Sequence, residues 1–243
     1  MCNCMLRLNI SVIIPTYQHA DTIERCLRSV LSQSLQPKEI IIVDDGSTDE
    51  TEKILTSFVR TTPTLSVFRQ ANHGSNSARN KGFEHSSGSR VIFLDADAVM
   101  RPDMLEKLSK AIDEHPRAGF AYSAFRFGWK RFRSFPFDVG RLRRMNYIHT
   151  SALIRREAFP GFDESVKRFQ DWDLWLSMLE RGYEGAFVSD ELFRVVQVRG
   201  RRGISSWRPS VFYQLPWFGK KPESIRAYEA AREIILKKHE LWM

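Results

Sequence analysis

The sequence predicts an α/β fold built on a mostly parallel sheet flanked by helices. Three observations carry this expectation. Short, nearly continuous apolar runs alternate with segments of helical period through the first half of the chain. The runs are rich in Ile and Val, as strands buried on both faces require. Strand and helix follow one another in βαβ order, which right-handed crossovers turn into a parallel sheet.

Each element follows from its own residues. Ile10-Ser11-Val12-Ile13-Ile14, ended by Pro15, is the first strand. Asp21-Thr22-Ile23-Glu24 has a capping-box pattern, and Ile23, Cys26, Leu27, Val30 and Leu31 make the inner face of the helix behind it. Ile40-Ile41-Ile42-Val43 is the second strand, ended by Asp44-Asp45-Gly46-Ser47. Ser47 or Thr48 is the expected cap of a helix that turns Thr51, Ile54, Leu55, Phe58 and Val59 inward. A third strand spans Leu65 to Arg69 and a short helix Ser75 to Phe83. The fourth strand, Val91-Ile92-Phe93-Leu94, ends in Asp95-Ala96-Asp97, and Met104, Leu105, Leu108 and Ile112 mark another helix. After Phe125 the alternation breaks. Ser151 to Arg155 and Leu192 to Val198 read as strands. Gln170 to Arg181 reads as a helix with Trp172, Trp175, Leu176 and Leu179 on one face. Pro222 to Glu240 is a terminal helix packing back through Ile225, Tyr228, Ile234, Ile235 and Leu236.

Composition narrows the class. A chain of 243 residues with 42% hydrophobic and 12% aromatic content is neither disordered nor dependent on a disulfide or structural metal. No apolar run approaches the ~18 residues of a membrane-spanning helix. Met1 to Ile10 has no apolar core of a secretory signal, and Cys2, Cys4 and Cys26 form no disulfide framework, so a cytoplasmic, reducing setting is expected. The net charge of +8 is localised. Arg126 to Arg144 holds seven basic residues and one acid, Asp138, and Arg199 to Lys221 holds six basic residues and no acid. Each segment is net +6, leaving the remainder at −4. Both interleave charge with aromatic rings, which suits peripheral contact with an anionic membrane at its inner face. A nucleic-acid partner, suggested by a pI near 9.6, is opposed by the absence of any recognition motif and by the acids at the strand ends.

Ligands of parallel sheets bind beyond the carboxyl ends of the strands. Here the residues after strands one, two and four are Thr16-Tyr17, Asp44-Asp45 and Asp95-Ala96-Asp97. Two acids one residue apart at a strand end can share a divalent cation through hard oxygen ligands, although the same pattern suits a loop that caps the next helix. Asp44-Asp45-Gly46-Ser47 serves equally as a turn with a cap or as an acceptor for base and ribose donors. Gly74 to Gly82 opens a helix whose N–H groups, with Arg79, can meet phosphate, and it lacks the Walker A pattern.

Taken together, Val12 to Tyr17, Ile42 to Asp49, Asn72 to Gly82, Phe93 to Asp97, Gly161-Phe162-Asp163-Glu164 and Gln170-Asp171-Trp172-Asp173-Leu174-Trp175-Leu176 closely resemble family 2 glycosyltransferases of the GT-A fold, including those that build bacterial cell-surface polysaccharides. The resemblance covers roughly residues 9 to 205. It implies a single GT-A domain over 1–243, with a mostly parallel, Rossmann-like sheet, an acceptor-side α+β region and a C-terminal helix. About 9–125 would bind the nucleotide sugar, about 126–205 the acceptor, and about 206–243 would be a helical extension. The implied reaction is inverting, metal-dependent transfer from a nucleotide-diphosphate sugar, a UDP-sugar, to a hydroxyl of a glycan or lipid-linked acceptor.

The resemblance also implies roles. Pro15, Thr16, Tyr17, Asp45, Gly46, Ser47, Arg79 and Ala96 belong to the nucleotide-sugar pocket. Asp44 reads the base, Asp95 lies near the ribose, and Asp97 binds Mn²⁺ or Mg²⁺ on the diphosphate. Asp171 is the general base, with Asp173 its competitor, and Gln170 and Trp172 face the acceptor. Arg199 and Arg201 meet the diphosphate where many members carry a His. Gln170 stands where the family often has Glu, and Ala98 where many members have a further acid. The competing reading is a non-catalytic sugar-nucleotide or glycan-binding module, which the presence of Asp44, Asp95, Asp97 and Asp171 argues against. A nucleotidyltransferase would want an N-terminal glycine-rich loop, and Ile14 to His19 contains no glycine. His149 is expected to be structural or at the surface, and Cys26, Trp172 and Trp175 are expected in the core.

Overall fold

In the computed structural model, which describes residues 9–197 and 222–241, the apolar runs form strands at the expected places. β1 (Ile10–Thr16), β2 (Glu39–Asp44), β3 (Leu65–Arg69) and β4 (Arg90–Phe93) alternate with α1 (Ile23–Leu31), α2 (Thr51–Thr61) and α3 (Ser75–Glu84). The second half adds β5 (Ala98–Met100), α4 (Met104–Glu114), β6 (Ala118–Phe127), β7 (Lys130–Phe132), α5 (Val139–Arg144), β8 (Leu153–Arg155), α6 (Gln170–Glu180), β9 (Glu184–Val195) and α7 (Glu223–Lys238). The described strands form one sheet in the order β3-β2-β1-β4-β8-β6-β9-β5, and β7 pairs with β6. β3, β2, β1 and β4 are mutually parallel. β8 is antiparallel to both β4 and β6, so β6 again runs in the direction of β4.

Strand periodicity divides the core into two layers. Val12, Ile14, Ile40, Ile42 and Ile92 face the layer that includes α1 and α4, whereas Ile13, Ile41, Val43, Val91 and Phe93 face α3 and α6. α3 lies so close to β1 that a Cβ at Gly82 would stand 2.4 Å from Ile13 Cγ2. Trp172 and Trp175 are buried in the second layer, and Cys26 is buried in the first. Burial and the nearby carboxylates of Asp97 and Asp95 push the Cys26 thiol far up. Among the described residues no helix is long and apolar enough to cross a membrane.

Several local expectations are corrected. The Asp21–Glu24 box does not form: Thr22 is the first cap residue, without a side-chain bond, and Glu24 pairs with Arg28 at 2.7 Å. Ser47 and Thr48 do not cap α2. Ser47 Oγ accepts from Gln18 N at 2.9 Å, and Asp49 accepts from Thr51 N at 3.1 Å instead. Val59 and Ile234 are exposed rather than core. β9 begins at Glu184, well before Leu192, and Val198 lies outside the described residues. β5, β6 and β7 had no counterpart in the sequence reading. β6 (AGFAYSAFRF) is diluted by Gly, Ala and Ser, which are weak strand formers, and only its pairing with β8 and β9 makes it a strand.

Candidate active site

The parallel register sets the site. Thr16 and Asp44 are direct partners at the ends of β1 and β2, both buried. Asp44 Oδ1 accepts from Ser47 N at 3.0 Å, and Arg69 Nε stands 3.7 Å from Oδ2. Asp45 builds the neighbouring loop. Its carboxylate accepts from Gln70 Nε2 at 2.9 Å, His73 N at 2.9 Å and Gly74 N at 2.8 Å, fixing the approach to α3. Gly46 turns there with φ +84°, a conformation that favours glycine. Tyr17 is exposed at the rim, whereas Pro15 is buried within β1 opposite Val43.

Beyond β4, Asp95 forms a buried-side ion pair. Arg79 donates to Asp95 Oδ1 at 2.9 Å and to Ser75 Oγ and Asn76 Oδ1 at 3.3 and 3.2 Å. The guanidinium expected at phosphate is therefore engaged with a carboxylate, and it lies 5.2 Å from the Phe162 ring centre. Burial opposes ionisation of Asp95, but the charge of Arg79, with His149 behind it, outweighs that and holds the carboxyl below its usual range. Thr16 Oγ1, Arg79 Nε and Ser151 Oγ are buried without a hydrogen-bond partner among the described residues.

His149 is the residue that sequence reasoning missed. Its Nε2 stands 3.8 Å from Asp95 Oδ2, and its Nδ1 accepts from Ser151 N at 3.1 Å. That bond leaves the Nε2 proton facing the acid in the neutral tautomer. The ring packs against Phe125 and Phe193 at 4.9 and 5.0 Å. Burial depresses the imidazole pKa against the pull of Asp95 and then of Asp171. The ring thus lies in the field of both acids and in contact with Asp95 beyond β4. No local motif marks His149, so nothing short of the fold points to it.

At α6, Phe169 takes a left-handed φ of 62° before the helix begins. Asp171 lies in the first turn, where Oδ1 accepts from Trp172 N at 3.0 Å. Gln170 Nε2 reaches Ser75 Oγ at 3.4 Å, bringing the starts of α6 and α3 together. Trp172 cannot present a ring to an acceptor: it is 1% exposed, and its indole donates to Leu142 O at 2.6 Å. Asp173 is buried too, held by Lys238 Nζ at 2.8 Å and His239 Nε2 at 2.9 Å. Arg199 and Arg201 lie outside the described residues.

Comparison with known proteins then places the chain. It belongs to glycosyl transferase family 2, whose model matches residues 11–166. An uncharacterised glycosyltransferase of Escherichia coli, YibD, is 40% identical over 99 residues, 41% of this chain and 29% of the relative. GlyA of Streptococcus pneumoniae, a glycosyltransferase, is 36% identical over 198 residues, 82% of this chain and 23% of the relative. TuaG of Bacillus subtilis, a glycosyltransferase named for teichuronic acid biosynthesis, is 29% identical over 220 residues and 86% of both chains. The first curated relatives are much longer than the chain, which matches about a third or less of their length. Staphylococcus aureus TarS in complex with UDP-GlcNAc superposes with a TM-score of 0.69 at 22% identity, over 85% of this chain and 64% of that one. The Pyrobaculum calidifontis mannosyltransferase PcManGT, bound to GDP-Man and Mn²⁺, gives 0.65 at 24% identity, over 93% and 69%. The fold is the GT-A architecture.

The donor chemistry of the rim fits a divalent cation of one kind. Among the described residues no three His, Cys, Asp or Glu side chains gather into a protein cage. Asp95 is already charge-paired with Arg79, and Asp97 lies half-buried at the start of β5, its carbonyl accepting from Val196 N at 2.8 Å. Cations bound through one carboxylate, with substrate phosphates and water as the other ligands, need no more than this.

Proposed function

We propose that the chain transfers a sugar from a nucleotide-diphosphate donor, a UDP-sugar, to a hydroxyl of a glycan or lipid-linked acceptor, with inversion at the sugar carbon. The observation that carries this is the set of carboxylates at the strand ends, Asp44 beside Thr16 and Asp95 beside Arg79, with His149 3.8 Å from Asp95.

In this reading Thr16, Tyr17, Asp44 and the Gly46–Ser47 turn receive the nucleoside, with the unpartnered Thr16 hydroxyl and the Asp44 carboxylate as its polar contacts. Asp45 shapes the loop rather than touching the ligand. Asp95, fixed by Arg79, receives the ribose, and Ala96 keeps the backbone close. Asp97 would hold Mn²⁺ or Mg²⁺ with the diphosphate, and that ion supplies neutralisation of charge on the departing group. Asp171 removes the acceptor hydroxyl proton as the oxygen bonds to the sugar carbon and the diphosphate leaves from the opposite face. Burial and two cations engage Asp173, which supports Asp171 as the base. Gln170 positions the start of α6 against α3. Residues of about 9–125 act on the donor and about 126–205 on the acceptor, with 206–243 an extension. The enzyme works in the cytoplasm, peripherally at the inner face of an anionic membrane.

Titration calorimetry with UDP, UDP-sugars and GDP-Man, with and without Mn²⁺, tests the reading. UDP should bind more tightly with Mn²⁺, and Asp44→Ala and Asp97→Ala should each weaken it by about tenfold or more, one tenfold step being about 1.4 kcal/mol. Unchanged binding in both variants refutes the donor site.

A further inference from the structure

The exposed apolar side chains of this protein are concentrated in one place. Of the seven large apolar residues exposed among the described residues, Trp129, Phe135, Val139 and Met145 fall within residues 129–145. Trp129 occupies the turn between β6 and β7 and is 86% exposed. Single exposed apolar residues need no explanation, but a cluster of this kind does.

The same stretch is basic, and the fold leaves much of that charge outward. Arg126 and Arg131 both pair with Glu191, at 3.1 and 2.7 Å. Arg133, Arg143 and Arg144 are exposed and make no ion pair among the described residues. Asp138, the one acid of the segment, is exposed but engaged as the cap of α5, accepting from Arg141 N, so the segment stays strongly basic. Arg141 lies flat over the Phe135 ring, 4.1 Å from its centre, so charge and apolar surface form one face.

This face also has a direction. β8 is antiparallel to both β4 and β6, so the carboxyl ends of β4 and β6 point to the same rim. The registers through β8 put Asp95 level with Ala124. The registers through β9 put Ala98 level with Phe127, so Asp97 stands level with the β6–β7 turn. Phe125, below the turn, touches His149, which touches Asp95. The turn therefore lies at the same rim as the candidate site.

We infer that the β6–β7 turn and α5 form a docking surface for an anionic lipid bilayer, with Trp129 entering the interfacial layer and Arg133, Arg143 and Arg144 facing the headgroups. Trp suits the boundary between water and lipid because its ring is apolar and its N–H is polar. Arginines near an anionic leaflet add a salt-sensitive attraction. A nucleic acid would engage the arginines but leave Val139 and Met145 without a role. The inference rests on the proposed membrane-side function, and it names the surface responsible.

Co-sedimentation with vesicles of phosphatidylglycerol and phosphatidylcholine, against phosphatidylcholine alone, tests it on the full chain. Wild type should sediment with the anionic vesicles, not with the neutral ones, and should be released by salt. Trp129→Ser and the double variant Arg143→Glu/Arg144→Glu should each lower the bound fraction by tenfold or more. Trp129→Phe should restore most of the loss. All three change exposed side chains, so their thermal unfolding and UDP binding should match wild type. The inference is overturned if wild type ignores anionic vesicles at low salt, if it binds neutral vesicles equally well, if the variants bind like wild type, or if it binds duplex DNA but no vesicle. Wild type that binds UDP but no anionic vesicle refutes the surface alone. Vesicle binding without UDP binding refutes the donor reading alone.

Discussion

His239, in the turn that closes α7, is clamped between two acids of α6, with Nε2 2.9 Å from Asp173 Oδ1 and Nδ1 2.6 Å from Glu180 Oε1. Burial opposes charge on this ring, but the hydrogen bonds to Asp173 and Glu180 outweigh it and raise its pKa above the ordinary value. A group whose folded pKa is raised stabilises the fold fully below its unfolded pKa, and that contribution is lost as pH rises through the folded value. Stability of wild type should therefore fall on going from pH 6 to pH 8.5, in denaturant titrations followed by far-UV circular dichroism. His239→Ala should lose about 2 kcal/mol at pH 6 and show a flatter profile. On the acid side, Lys238 and Ser165 hold the Asp163 carboxyl down to about 2, so its contribution is present above the ordinary carboxylate range and lost as pH falls through 2.

The two acids of the first turn of α6 should separate cleanly. Asp171→Asn should keep UDP binding and thermal stability and lose transfer by ~10²-fold or more. Asp173→Asn leaves Lys238 and His239 facing a neutral amide, so it should cost about 3 kcal/mol of stability. Its transfer rate per folded molecule should fall far less than that of Asp171→Asn. Single-turnover rates alongside urea titrations distinguish the two.

The Arg79–Asp95 pair should behave as a coupled unit. Arg79→Met strands a partly buried carboxylate and should destabilise by about 3 kcal/mol. In the double variant Arg79→Met/Asp95→Asn the stranded charge is gone, and about 1 kcal/mol or more should return. A strictly additive double-mutant cycle would deny that the two groups interact.

Gly82→Ala tests how α3 reaches the rim. The new methyl meets the Ile13 side chain of β1 inside the core, so the helix must shift. A loss of about 1–3 kcal/mol is expected. Because Arg79 rides on the same helix, UDP binding should weaken in parallel, which calorimetry on the folded fraction would register.

The first half of the fold was legible because buried parallel strands have to be apolar throughout, and Ile40-Ile41-Ile42-Val43 has few other uses. The acids at the strand ends were legible for the same reason: strand direction dictates where they emerge. β6 was not legible, since Ala, Gly and Ser along it carry no strand signal until β8 and β9 flank it. Local capping logic failed at Ser47 because Gln18 N, distant in sequence, takes its hydroxyl, and at the Asp21 box because Arg28 takes Glu24. His149 and the Asp173–His239 contact join residues far apart in sequence, and no spacing rule reaches across such a gap.

β8 is only three residues long, yet Leu153, Ile154 and Arg155 are hydrogen-bonded into β4 on one side, and Leu153 and Ile154 into β6 on the other. The portions of the sheet on either side of β8 are therefore stitched into one ladder. They cannot swing apart as rigid lobes without tearing those bonds, so β8 provides no hinge among the described residues. In the proposed reaction, admission of a donor and its enclosure would fall to segments that lie off the sheet, moving over a platform that stays still.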